Sequence, residues 1–335
     1  MTRHMMKKLI SIVVPAYNEE QVLPLFHARI NEVLAPLAEY DWEIVFVNDG
    51  STDATQQLIE ELQEQDTRIS SVNLSRNFGK EPAMTAGLEH ALGDAVIVID
   101  ADLQDPPELI VQFLQAWEEG FDIAYARRTH RDGETWLKKA TATRFYRVMG
   151  KLSNVQIPAD TGDYRLMSRR TVDALLKLRE HHRFMKGLFA WIGFPAKPID
   201  YRRDARAAGT TKFNYWKLWN FALEGITSFT IAPLKVSTYL GVLISLCAFF
   251  AGTWILFRTL LWGNPVAGYP TLIVTILFLG GVQLLFIGIL GEYLGRIYNE
   301  TKGRPLYLVQ KYQIAATISA KEQARRNPAE GLHAE

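Results

Sequence analysis

Cysteine, net charge and the common nucleotide-binding fingerprints are all scarce in this chain. One cysteine, Cys247, occurs in 335 residues, so no disulfide can form within the chain, as fits a reducing compartment. Lys and Arg number 37 against 36 Asp and Glu, and a net charge of +1 gives no bulk attraction for nucleic acid. The first 130 residues hold neither G-x-G-x-x-G nor G-x-x-x-x-G-K-[ST], which excludes the dinucleotide and P-loop modes of holding phosphate. No secretory leader is expected: Lys7 and Lys8 precede only a short apolar stretch that ends at Pro15 and reads as a buried strand.

Long apolar runs are present instead, all in the C-terminal third. Residues 236–257 carry no charge, and 271–291 form a second such run. Each has about the 20 residues that a bilayer core requires. Their link carries one basic residue, Arg258, whereas Lys212, Lys217 and Lys235 precede the pair and Arg296, Lys302 and Arg304 follow it. Basic residues stay on the cytoplasmic side, so the pair is expected as a hairpin in the bacterial inner membrane with both chain ends cytosolic. The expected divisions are a cytosolic domain (1–212), an interfacial amphipathic helix (213–232), the transmembrane pair (233–295) and a cytosolic tail (296–335). In 213–231, Tyr215, Trp219, Ala222, Ile226 and Phe229 share a helical face suited to headgroup depth. Residues 138–152 show a second amphipathic pattern, which fits either a membrane surface or the domain core. Gly280, Gly281, Gly288 and Gly291 offer small faces for helix packing, so a homo-oligomer is expected.

The first 130 residues alternate between two periodicities. Runs at 9–14, 42–48, 69–74, 94–100 and 121–126 are short, apolar and rich in Val and Ile, as strands buried on both faces are. Helical patterns lie between them, near 19–38, 53–65, 80–91 and 107–119. Such alternation predicts an α/β fold with a mainly parallel sheet and helices on both faces. Ligands in these folds gather at the carboxyl ends of the strands, and the unusual polar clusters PAYNEE, NDGSTD, SRNFGKEPA and DADLQDPP all fall there.

Each cluster implies a chemistry. Asp100, Asp102 and Gln104 offer hard oxygen ligands for Mg²⁺ or Mn²⁺, which can bridge a diphosphate. Asp49 can hydrogen-bond a ribose or a base edge; Ser51 can do the same or simply cap the next helix. Tyr17 can lie over a base, Glu19 can make a polar contact, and Lys80 can counter a phosphate. Asp163, in TGDYRL, is expected in a loop before a further strand. Arg202, Arg203, Arg206 and Lys212 lie just before the interfacial segment, where an anionic lipid headgroup would be held. His181 and His182 lack a spaced partner and are not expected to bind metal.

In order along the chain, PAYNEE, NDGSTD, NFGKEPAMTAGL, DADLQDPPE, TGDYRLMSR, GTTKFNYWKLWN and GEYLGRIY resemble the family-2 glycosyltransferases that charge polyprenyl phosphates. The likeness spans roughly residues 7–310 and is greatest to the bactoprenol (undecaprenyl-phosphate) glucosyltransferases of O-antigen glucosylation. Dolichyl-phosphate mannose synthases look like more distant relatives. The resemblance implies a GT-A fold, a UDP-sugar donor, a divalent metal on Asp100, Asp102 and Gln104, and an inverting transfer. It adds Pro15 to Tyr17, Glu19 and Asp49 as nucleotide contacts, and it makes Asp163 a catalytic candidate. A phosphate-binding G-x-S-K element reads GTTK here, with Thr211 for the serine. Arg127, Arg206, Thr211 and Lys212 are then the expected partners of the lipid phosphate. No Q-x-x-R-W element of the processive synthases is present, which argues against a polymerising enzyme. Another sugar, mannose or an aminosugar, and a non-catalytic membrane scaffold remain as alternatives.

Overall fold

A computed structural model describes residues 7–129, 161–181, 183–201, 232–262 and 268–318. The expected helices at 138–152 and 213–231 therefore lie outside the described residues, as do Arg206, Thr211, Lys212 and His182. The strands are β1 (Leu9–Ala16), β2 (Asp41–Asn48), β3 (Ile69–Leu74), β4 (Ala95–Val98), β5 (Ile123–Arg128), β6 (Thr161–Ser168), β7 (Ala196–Tyr201) and β8 (Val309–Gln313). Among them run helices α1 (Leu23–Leu34), α2 (Thr55–Gln65), α3 (Lys80–His90), α4 (Ile110–Glu118), α5 (Arg169–Leu176) and α6 (Met185–Trp191). Two long helices, α7 (Ala232–Trp262) and α8 (Tyr269–Thr301), precede β8.

All eight strands form one sheet in the order β7-β5-β6-β4-β1-β2-β3-β8. Strands β3, β2, β1 and β4 are parallel neighbours; β6 runs antiparallel to β4 and β5, and β8 antiparallel to β3. This is the mainly parallel α/β sheet that the alternation predicts. Side chains alternate across the pleat, so each strand feeds two cores. Ile10, Ile12, Val14, Ile44 and Phe46 pack with Phe26, Ile30, Ile59 and Phe113 on one face. Val13, Val45, Val47, Val96 and Val98 pack with Met84, Leu88, Met185 and Leu188 on the other. With both faces covered, the polar groups that remain collect at the strand ends.

A polar cluster centred on Glu43, with Ser11 and Ser70, sits inside the sheet. Glu43 is fully buried and accepts hydrogen bonds from Ser11 Oγ (2.5 Å), Ser70 Oγ (3.0 Å) and the Leu92 amide (3.0 Å). Ser70 Oγ also accepts from the Ala315 amide at 2.9 Å. The chain thus comes back from the long helices to complete the sheet. At the end of α8, Glu300 accepts the His181 amide at 2.7 Å, and the His181 ring contacts the Glu300 carboxylate and the Arg304 carbonyl.

Candidate active site

The register of the sheet assembles the site. In the antiparallel pair of β4 and β6, Val98 lies opposite Arg165. Two residues further along each strand stand Asp100 and Asp163, at the carboxyl edge of the parallel strands. Asp163 lies within β6 and not in a loop before it, because pairing with β5 extends the strand back to Thr161. Between the two acids comes Lys80, the first residue of α3. Its Nζ lies 2.7 Å from Asp100 Oδ1, 2.8 Å from Asp100 Oδ2 and 2.6 Å from Asp163 Oδ2.

The electrostatics follow from this bridge. Burial works against charge on the Lys80 ammonium, but Asp100 and Asp163 together raise its pKa. Burial would also raise Asp163; Lys80, Lys186 and Arg165 outweigh it and bring its carboxyl down to about 2. Asp100 is pushed up, by burial first and by the nearby acids Asp163 and Asp102, against the pull of Lys80. Asp163 is therefore a carboxylate at neutral pH and a poor proton acceptor.

The loop after β4 is conformationally unusual. Leu103 has φ 56°, and Asn18 in the loop after β1 has φ 55°; these are the two non-glycine residues with positive φ among the described residues. Left-handed backbone of this kind is uncommon outside glycine and gathers at functional sites. Asp102 Oδ1 accepts the Gln104 amide at 3.2 Å, and Gln104 is buried. Tyr164 donates to the Pro106 carbonyl at 3.1 Å and holds the loop from β6.

Other expected residues lie at the same edge in different employment. Asp49 is 3% exposed, and its two carboxylate oxygens accept the amides of Phe78 (2.7 Å) and Gly79 (2.9 Å). It thereby fixes the loop that delivers Lys80. Gly50 (φ 63°) has no room for a side chain, since a Cβ would meet the Arg76 backbone at 2.3 Å. Ser51 Oγ accepts the Asn18 amide at 3.0 Å and so joins the first two loops. Helix α2 starts at Thr55, whose amide bonds Asp53 Oδ1 at 3.0 Å. Pro15 ends within β1, Tyr17 is exposed beyond it, and the Glu19 amide donates to Thr55 Oγ1 at 2.9 Å. Arg127 forks onto Asp200 at 2.6 and 2.9 Å on the surface, committed away from the acids.

Three cations that sequence reasoning missed border on the acids. Arg128, next to Arg127, is influenced by Asp100 and Asp105. Arg165 is buried, stacks on Phe189 with its guanidinium 3.5 Å from the ring centroid, and donates to the Gly162 carbonyl at 2.8 Å. Burial lowers its pKa to about 10. Lys186, at the start of α6, is lowered by burial, against the attraction of Asp163. Carboxylates ringed by ammonium and guanidinium groups can bind a polyanion with or without a divalent cation.

Residues 11–176 match the glycosyl transferase family 2 domain, and residues 232–297 match the GtrB C-terminal hairpin. A bactoprenol glucosyl transferase derived from the SfII prophage of Shigella flexneri is 50% identical over 302 residues, 90% of this chain and 97% of that protein. A prophage bactoprenol glucosyl transferase homolog of Escherichia coli K12 is 48% identical, covering 90% and 98%. An uncharacterized glycosyltransferase of Synechocystis is 54% identical, covering 90% and 94%. Among solved structures, the glucosyl-3-phosphoglycerate synthase of Mycobacterium tuberculosis with Mn²⁺, UDP-glucose and phosphoglyceric acid is 21% identical at a TM-score of 0.44, over 66% of this chain and 78% of that one. This chain belongs to the family-2 glycosyltransferases and carries their GtrB-type C-terminal hairpin, and it is a glycosyltransferase with the GT-A fold. It is membrane-associated: Phe278–Thr301 is long and apolar enough to cross a bilayer and is not buried at all, and α7 carries a shorter apolar stretch at Val236–Ala251.

Proposed function

We propose that this chain transfers glucose from UDP-glucose to undecaprenyl or another polyprenyl phosphate, with inversion, giving a lipid-linked phosphosugar for cell-envelope glycan modification. The observation that carries the reading is the bridge from Lys80 to Asp100 and Asp163. It sets a phosphate-neutralising ammonium between a D-x-D acid and a second carboxylate at the edge where the fold binds ligands. The names of relatives about half identical over nearly their full length support both the sugar and the lipid.

Asp100, Asp102 and Gln104 would hold the divalent metal, Mg²⁺ or Mn²⁺. Among the described residues no group of three or more His, Cys, Asp or Glu side chains is placed to hold a metal ion by itself. Two carboxylates and an amide fit a metal that keeps open positions for phosphate oxygens. When bound, the metal neutralises charge on the diphosphate.

The chain's own residues supply the remainder. Pro15, Tyr17, Glu19, Asp49 and Ser51 form the nucleotide side. Lys80, held by Asp100 and Asp163, presents its charge to the diphosphate. The acceptor is a phosphomonoester with a second pKa of about 6, so at neutral pH it is mostly dianionic. Its oxygen attacks the anomeric carbon as the bond to UDP breaks, and an α-linked donor gives a β-linked product. A nucleophile already charged needs no base, and Asp163, ionised and bound to Lys80, orients groups without taking a proton. Arg206, Thr211 and Lys212 hold the acceptor phosphate, and Arg127, forked onto Asp200, stands apart from them. Residues 1–212 and both chain ends face the cytosol, 213–232 lies at the interface, and the hairpin (233–295) crosses the inner membrane. The open faces at Gly280, Gly281, Gly288 and Gly291 suit a homo-oligomer.

The test is a transfer assay with full-length protein in detergent, undecaprenyl phosphate, Mg²⁺ or Mn²⁺ and a panel of labelled nucleotide sugars. Lipid-linked label from UDP-glucose is expected, reduced about 10²–10³-fold or more by Asp102→Ala with the melting temperature kept. Label from another donor would replace the sugar. No transfer from any donor by folded protein would overturn the reading.

A further inference from the structure

Tyr201 ends β7 and is 6% exposed, with its hydroxyl between two charged groups. The hydroxyl donates to Asp105 Oδ1 and accepts from Arg128 Nε at 3.1 Å. Asp105, the last acid of the DADLQD loop, is 2% exposed, and Arg128 Nη2 lies 3.9 Å from its Oδ1. Arg128 and Tyr201 are partners in the parallel register of β5 and β7, so the pairing is fixed by the sheet. On its other side the guanidinium lies against Gly162: a Cβ there would stand 3.2 Å from Nη2. Asp163 is the next residue, and Arg128 also feels Asp100 and repels Lys186. Among the described residues, the bond to Tyr201 is the one hydrogen bond of this guanidinium; Nη2 has the long 3.9 Å ion pair with Asp105 and lies beside Gly162 at the border of the site.

We propose that Asp105 and Tyr201 are positioning residues that aim Arg128 at a phosphate oxygen in the site, belonging to the donor diphosphate or to the acceptor phosphomonoester. An arginine is a planar fork whose value to an anion depends on its orientation. A buried phenol held by a buried carboxylate and receiving Nε fixes the plane of the fork, and both Nη groups are then presented together. Without the phenol the side chain keeps its charge and loses its aim. The inference rests on reading the site as one for sugar transfer from a nucleotide diphosphate to a phosphate.

A double-mutant cycle separates aim from stability, because residues that act through one another are not additive. The variants are Tyr201→Phe, Arg128→Lys and the pair, made in the full-length protein, with Asp105→Asn as a second route to the same loss. Each is assayed for transfer from UDP-glucose to undecaprenyl phosphate, for binding of UDP with Mn²⁺, for binding of undecaprenyl phosphate in nanodiscs, and for melting temperature. Tyr201→Phe is expected to lower kcat/KM about 10–100-fold, the range for loss of an orienting partner. In the Arg128→Lys background it is expected to change kcat/KM by less than about twofold, the mark of non-additive coupling. Coupling seen in UDP binding assigns the phosphate to the donor; coupling seen in acceptor binding or KM assigns it to the acceptor. Multiplicative losses, or a Tyr201→Phe enzyme with unchanged kinetics and binding, would overturn the inference. If the unmodified protein transfers no sugar, the functional reading falls, while the two binding cycles still decide whether Tyr201 acts through Arg128.

Discussion

Phe113 and Leu284 are both large apolar side chains on helices, but Phe113 has no exposed surface and Leu284 is 72% exposed. The sheet domain buries its apolar residues against themselves. The hairpin turns Leu240, Phe249, Trp254, Leu284 and Leu294 outward. Water would not tolerate so continuous a surface, so the two halves of the chain are built for two solvents. An apolar residue is therefore worth different things in the two places, and substitutions can measure the difference.

The largest contrast is expected from truncating each residue. Phe113 packs edge-on against Tyr164 at 4.8 Å, and Phe113→Ala should cost the domain about 3–5 kcal/mol, seen as a lower melting temperature. Leu284→Ala should leave that transition in place. A charge reverses the ranking: Leu284→Arg should disfavour membrane integration by about 2.5–3.5 kcal/mol and shift protein out of the membrane fraction, with the soluble domain still folded. If Leu284→Arg stayed fully integrated, that face of α8 would pack on protein and not on lipid. A third substitution tests the seam between the halves. Ser70→Ala removes a partner from both Glu43 and the Ala315 amide and should cost about 1–3 kcal/mol.

The smallest effect concerns pH and stays within the sheet domain. Burial alone would raise the Asp66 carboxyl, but His27 and Arg68 hold it well below the usual range. A depressed folded pKa means that this stability is complete above the unfolded value of about 3.9 and is lost as pH falls toward the folded one. Asp66→Asn should lower stability at neutral pH and flatten the acid limb of a melting-temperature profile. An unchanged acid limb would remove Asp66 from that role.

The strands and the site loops were legible because they depend on local pattern. Apolar runs of Val and Ile gave the central strands within a residue or two, and each polar cluster fell at a strand end. Arg128 was missed for a reason of geometry: neighbours on a strand point to opposite faces, and sequence does not say which of Arg127 and Arg128 looks inward. The pairing of β5 with β7 decides it, sending Arg127 to Asp200 and Arg128 to Tyr201. Lys186 carries no motif, and Arg165, although within TGDYRL, was not singled out; they come into the site only through the short α6 and the antiparallel β6. The strand β8 was missed because VQKYQ is short and half polar, and its partner is distant. Asp49 was legible as a site residue, but its two amide partners depend on a loop some 30 residues away.

That distant partner has a consequence in time. Ser70 and Ala315 are 245 residues apart in the chain, with both long helices made between them. During synthesis β3 is made long before β8, and it remains an open edge while the helices emerge. An exposed edge strand is a template for wrong pairing, and non-local strands are slow to form. The last strand can dock only after the hairpin has emerged from the ribosome. Sheet completion is thereby ordered after hairpin synthesis, and a nascent chain stalled before residue 309 would present an unfinished edge to quality control.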